Sequence, residues 1–172
     1  MNTGLLILRL AVGLTLAAHG GQKLFGWFGG GGIGGTAPFM ETLGFRPGRL
    51  QAFLAGFSEV VGGLLLALGL LTPIGSAIVV AVMFTAAVSA HVPNGFFAHK
   101  GGYEYTFILA GSALAVAFTG PGAFSIDQVM GISWSGAFWG WAALLVGLVA
   151  GGIPLLGRRS EPQQASVPST PS

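Results

Sequence analysis

The sequence predicts an all-α fold: a polytopic transmembrane helix bundle, with a core of four helices and a fifth helix near the C-terminus. Three observations lead there. Only 7% of the 172 residues are charged, against roughly 25% in a soluble domain, and so few charges cannot cover a water-facing surface. Hydrophobic residues make up 52% of the chain and the mean hydropathy is +0.78. The apolar residues fall into long blocks near the length of about 20 residues that a membrane-crossing helix needs, without the two-residue alternation of a lipid-facing barrel. The same composition excludes other classes. With no cysteine there can be no disulfide framework, thiol catalyst or cysteine-ligated metal. Disorder across the chain would need low hydrophobicity and high charge. A net charge of +2 makes no basic patch, so no nucleic acid partner is expected.

The first helix is expected from about Leu5 to Phe25, carrying Arg9, His19 and Lys23. A cleaved leader is the rival for this segment. The cation Arg9 follows the apolar run Leu5 to Leu8, which is the wrong order for a leader and favours a retained helix. Gly29 to Gly35 reads GGGGIGG and opens a long flexible loop reaching Gly48. No GK[ST] comes after it, so it is not a phosphate-binding loop. The second helix runs from Leu50 to Leu71 with Glu59 inside it. Thr72-Pro73 then forms a tight hairpin into a third helix, Ile74 to Val92, ending at His91. A loop over 93–102 leads to the fourth and shortest helix, which starts near Tyr103 with Glu104 at its mouth and stops at Gly120-Pro121-Gly122. The fifth, Gly136 to Leu156, carries no charge, and the proline-rich tail 157–172 is expected to be disordered and cytoplasmic. With five spans, Lys23, Arg46, Arg49, Lys100, Arg158 and Arg159 share one side. The positive-inside rule then puts the N-terminus outside and the C-terminus in the cytoplasm.

The polar residues inside these blocks are the informative ones, because a charge at mid-bilayer costs about 2.5–3.5 kcal/mol on insertion scales. Arg9 and Glu59 should face the bundle, and helix rise brings them close enough for a bidentate pair. Arginine keeps its proton, which suits a structural latch. A buried carboxylate can titrate, which suits proton transfer. His19 and Lys23 share a helical face, and His91, His99, Lys100 and Glu104 reach the same depth from the third helix, the loop after it and the fourth helix. Arg9, His19, Lys23, Glu59, His91 and Glu104 therefore form the candidate polar pocket. No HxxxH or HxxE spacing supports a metal among them, and Ser58 lacks the GxSxG setting of a nucleophile. Gly13 and Gly20 in the first helix, and Gly56, Gly62 and Gly63 in the second, allow close packing in lipid.

Four stretches resemble the DoxX family of small bacterial membrane proteins. They are Leu8-Arg9-Leu10 through His19-Gly20-Gly21-Gln22-Lys23-Leu24; Glu59-Val60-Val61-Gly62-Gly63 with Leu68-Gly69-Leu70-Leu71-Thr72-Pro73; Gly101-Gly102-Tyr103-Glu104-Tyr105; and Gly120-Pro121-Gly122 with Ser125-Ile126-Asp127. Their order and spacing cover residues 5 to about 130. The resemblance implies four transmembrane helices in a bacterial plasma membrane and a loose link to membrane redox chemistry. The family includes a subunit of a thiosulfate:quinone oxidoreductase and partners of enzymes handling thiols, quinones or superoxide. This chain departs from the pattern in its fifth apolar segment, and without cysteine any thiol chemistry would sit on a partner. The leading expectation is a redox-associated subunit whose polar pocket binds a quinone-like headgroup or relays protons, partnered by a soluble or membrane oxidoreductase. The alternative is a non-catalytic scaffold that anchors such an enzyme through the loops 29–49 and 93–102 and the tail. A small-solute transporter is less favoured, since no broken helix pair or inverted repeat is seen. Assembly into a homo-oligomer stays open.

Overall fold

The computed structural model describes residues 2–159. Within them the chain is helical, with no strand. Helix α1 is Asn2–Phe25, α2 Gly32–Thr42, α3 Gly48–Leu68, α4 Thr72–Ala86, α5 Glu104–Thr119, α6 Ile126–Val129 and α7 Ala137–Leu156. Helix α4 continues through a π-turn, Ala87–His91, and a short 3-10 turn, so its rod reaches Asn94. Four helices are long and apolar enough to cross a membrane: α1, α3, the extended α4 and α7. Helix α5 has 16 residues and is the short member.

The five expected spans thus appear as helices, and the run after α1 is corrected. The glycines do break the chain, since Gly26, Gly29 and Gly32 take positive φ. Beyond that break the chain winds into helix α2 and does not form a flexible loop. Ile33, Ala37 and Met40 recur at helical spacing, and Ala37 and Met40 bury against Phe45 and Ala52. The first residues of the expected tail are also held. Arg159 N–H donates to Gly44 O at 3.0 Å and Arg158 Nε to Leu43 O at 2.8 Å, with the Arg158 guanidinium 5.4 Å from the Phe45 ring centre. The rest of that tail, 160–172, lies outside the described residues.

Antiparallel packing of α1 on α3 sets the depth of every polar group. A Cβ on Gly20 would stand 2.5 Å from Gly56 O and 2.8 Å from Val60 N, and one on Gly63 would stand 2.8 Å from Ala17 N. Gly13 lies equally tight against Gly63 and Ala67. These four glycines let the two backbones touch, which is how helices associate where lipid supplies no hydrophobic drive. Seven residues forward from Gly13 to Gly20 match seven backward from Gly63 to Gly56, so the register is continuous. Helix α7 packs on α4 in the same manner, with Gly151 against Ala81 and Gly147 against Val80. Val12, Leu16, Leu66, Val79, Met83, Leu109 and Val116 fill the centre between α1, α3, α4 and α5.

That register rules out the expected Arg9–Glu59 pair. Arg9 falls opposite Gly69, the residue that closes α3, ten residues beyond Glu59 or about 15 Å along the helix axis. Its guanidinium donates instead to Pro121 O at 2.6 Å and Phe124 O at 2.5 Å, in the loop after α5. Beside it Asp127 of α6, 1% exposed, accepts from Leu71 N at 2.7 Å, Thr72 N at 2.9 Å and Thr72 Oγ1 at 2.6 Å. A carboxylate there caps the N-terminus of α4 and meets the positive end of its dipole. Arg9 and Asp127 therefore lock one end of the bundle. Lys23, Arg46, Arg49, Lys100, Arg158 and Arg159 fall at the other end.

Candidate functional site: an apolar groove with a polar wall

Helices α2, α3, α4 and α7 enclose a groove of about 700 Å³. Its floor is the face of α4 that repeats Ile74, Ile78, Ala81, Val82 and Thr85 at helical spacing. Small residues make the walls low: Ala55 on α3, and Ala143, Ala150 and Gly151 on α7. The lining is overwhelmingly apolar. Its ionisable side chains are Lys23, Glu59 and His91, with Ser58 and Ser89 nearby on the same surface.

Lys23 and Glu59 form the site's ion pair. Lys23 Nζ lies 2.5 Å from both carboxylate oxygens. The Glu59 side chain is 4% exposed and that of Lys23 26%. The pairing is a consequence of the α1/α3 register, which sets Glu59 opposite the stretch from Ala17 to Lys23. In low dielectric the two charges need one another. The arrangement also leaves a donor and an acceptor beside the apolar cavity.

Behind the pair stand two rings. His19 of α1 and Tyr105 of α5 have ring centres 5.6 Å apart, and both lie near enough to Glu59 to interact with its charge. At the far end of α4 His91 lines the groove, and its Nδ1 donates to Gly101 O at 2.8 Å. The structure thus gathers Lys23, Glu59 and His91 on one surface, with His19 behind Glu59. It does not bring in the other two. Arg9 sits at the opposite end of the bundle, and Glu104 accepts from Ala98 N at 2.9 Å, bracing the 98–100 turn.

Sequence reasoning gave no role to Tyr105, Ser89 or Asp127, although Tyr105 and Asp127 stand in the stretches that carry the resemblance. Asp127 carried a readable sign: Ser125 with an acid in the next turn is a helix start, and Ser125 Oγ does accept from Gln128 N at 3.2 Å. Tyr105 carried none beyond its place in the Gly101–Tyr105 stretch. Ser89 comes to the groove through the π-turn, for which no reliable sequence signal exists.

Comparison with known proteins agrees with this frame. Residues 4–92, which span α1 to the end of the π-turn and hold Lys23, Glu59 and His91, match a family model described as DoxX. The chain is 32% identical over 129 residues to the inner membrane protein YphA of Escherichia coli (strain K12), covering 72% of this chain and 88% of that one. It is 27% identical over 139 residues to the inner membrane protein YqjF of the same organism, covering 77% and 96%. No solved structure gives a significant match.

Proposed function

The chain belongs to the DoxX family, and from that premise we propose that it is a multi-pass protein of the bacterial plasma membrane that serves a membrane redox system by binding a quinone-like headgroup. The observation that carries this reading is the pair of a buried Glu59 with a partly exposed Lys23, opening onto an apolar groove of about 700 Å³. A quinone is an amphiphile with that division: two carbonyl oxygens that accept hydrogen bonds and an uncharged apolar tail. Lys23 Nζ supplies a donor. The face of α4 between α3 and α7 offers a wall for the tail. Quinone reduction consumes two electrons and two protons. In this reading the electrons come from a partner oxidoreductase, and Glu59, with His19 near it, passes the protons. The two relatives bear only the name of inner membrane proteins, so the redox link rests on the groove's chemistry and the family resemblance.

The orientation belongs to this proposal. Cations gather at the end with Lys23 and Arg158, and positive-inside asymmetry makes that end cytoplasmic. The chain has no cysteine, so single-cysteine variants report cleanly. Ser133→Cys should react with an impermeant maleimide in intact cells, and Lys100→Cys only after permeabilisation. The reverse pattern would invert the topology.

The binding proposal is tested by purification in mild detergent and extraction of bound lipid. A quinone recovered near one per chain, and lost on Glu59→Gln, is the expected result. A stoichiometric soluble oxidoreductase with no quinone would favour a scaffold instead.

A further inference from the structure

The groove has a second polar position, and its geometry is unusual. Ser89, Ala90 and His91 all line the cavity, although three consecutive residues of an α-helix spread over about 200°. They fall in the π-turn Ala87–His91. A π-turn closes its hydrogen bonds five residues on instead of four, so it rotates less per residue and keeps more consecutive side chains on one face. Such single π-turns concentrate at functional sites. His91 is also fixed chemically. The carbonyl of Gly101 can only accept, so Nδ1 must carry the proton that bonds it, at 2.8 Å. The remaining nitrogen, Nε2, is then a bare acceptor when the ring is neutral and a donor when it is protonated.

We propose that His91 is the proton-dependent headgroup contact of this groove: neutral, it offers no donor to a carbonyl ligand, and protonated, it donates from Nε2. This rests on the reading that the groove takes a quinone-like headgroup, and it adds a residue role that the Lys23–Glu59 pair does not provide. The charged and titratable groups on the elements around His91 are Glu59 and Lys23, which share the groove lining with it, and His99, Lys100, Tyr103 and Glu104, which flank the Gly101 whose carbonyl it bonds. Glu104 is engaged by Ala98 N and Glu59 by Lys23. His99 provides the internal control because it is outside the groove lining.

The probe is a short-chain benzoquinone bound to the full chain in detergent, read by quenching of Trp139, which lines the groove. A Trp139→Phe chain identifies the signal. The wild type should bind more tightly at pH 5.5 than at pH 8, by about tenfold, the size of one charge-assisted hydrogen bond. His91→Gln carries a permanent amide donor and should bind with one affinity at both values, and His99→Gln should keep the wild-type dependence. Retention of the full dependence by His91→Gln overturns this role for His91 and leaves the groove as a binding site. Absence of binding by the wild type at either pH overturns both proposals.

Discussion

Asp127→Ala should be the most destabilising single change in the protein, costing about 3–5 kcal/mol and lowering the melting temperature in detergent by on the order of 10 °C. The carboxylate is 1% exposed and takes hydrogen bonds from Leu71 N, Thr72 N and Thr72 Oγ1. Truncation leaves those donors unsatisfied, removes the cap of α4 and takes the neighbouring negative charge from Arg9, whose Nε already has no hydrogen-bond partner among the described residues. Unmade bonds in a buried site carry the full desolvation penalty. Asp127→Asn keeps one acceptor and should cost less. Arg9→Lys should not be benign either, because one ammonium cannot serve both Pro121 O and Phe124 O as the guanidinium fork does. Thermal unfolding by circular dichroism measures all three. An Asp127→Ala melting temperature equal to wild type would show that this end of the bundle is held by something else.

The second large effect concerns Lys23 and Glu59. Lys23→Met leaves a carboxylate buried without its partner and should cost about 3–5 kcal/mol. Glu59→Met should cost less, because Lys23 is partly exposed and can turn its ammonium toward the interface. The double variant Lys23→Met/Glu59→Met should return to within about 1 kcal/mol of wild type, since a buried ion pair replaced by apolar groups of similar volume is often neutral. The difference between the singles and the double is the coupling energy, read from the same melting experiment. Equal and additive losses would mean that the pair is not formed.

Architecture was legible in the sequence, and partners were not. Block hydrophobicity gave the five helices because lipid demands about 20 apolar residues per crossing, a constraint visible in any window. Helix α2 was missed because six glycines in seven residues outweighed a weaker repeat at Ile33, Ala37 and Met40. The residues of the polar set were found individually, since each is costly in its block, but their grouping was not. Arg9 and Glu59 were matched by depth measured from helix ends. The packing register is set by Gly13, Gly20, Gly56 and Gly63, which were recognised as close-packing positions. Sliding those two pairs against each other would have placed Arg9 level with Gly69 and Glu59 level with His19, one helical turn from Lys23. Asp127 entered only within the Ser125-Ile126-Asp127 stretch and not among the polar set, because it lies beyond the apolar blocks and its burial comes from a four-residue helix, Ile126–Val129.

The double variant Lys23→Met/Glu59→Met also gives the most direct test of the central claim, that the ion pair is kept for a ligand and not for the bundle. The measurement is short-chain benzoquinone binding by the folded double variant beside the wild type, at pH 5.5 in the same detergent. The account expects near wild-type melting together with affinity reduced by at least tenfold, the loss of one charged hydrogen bond. Wild-type affinity in the double variant, or no binding by either chain, would contradict it.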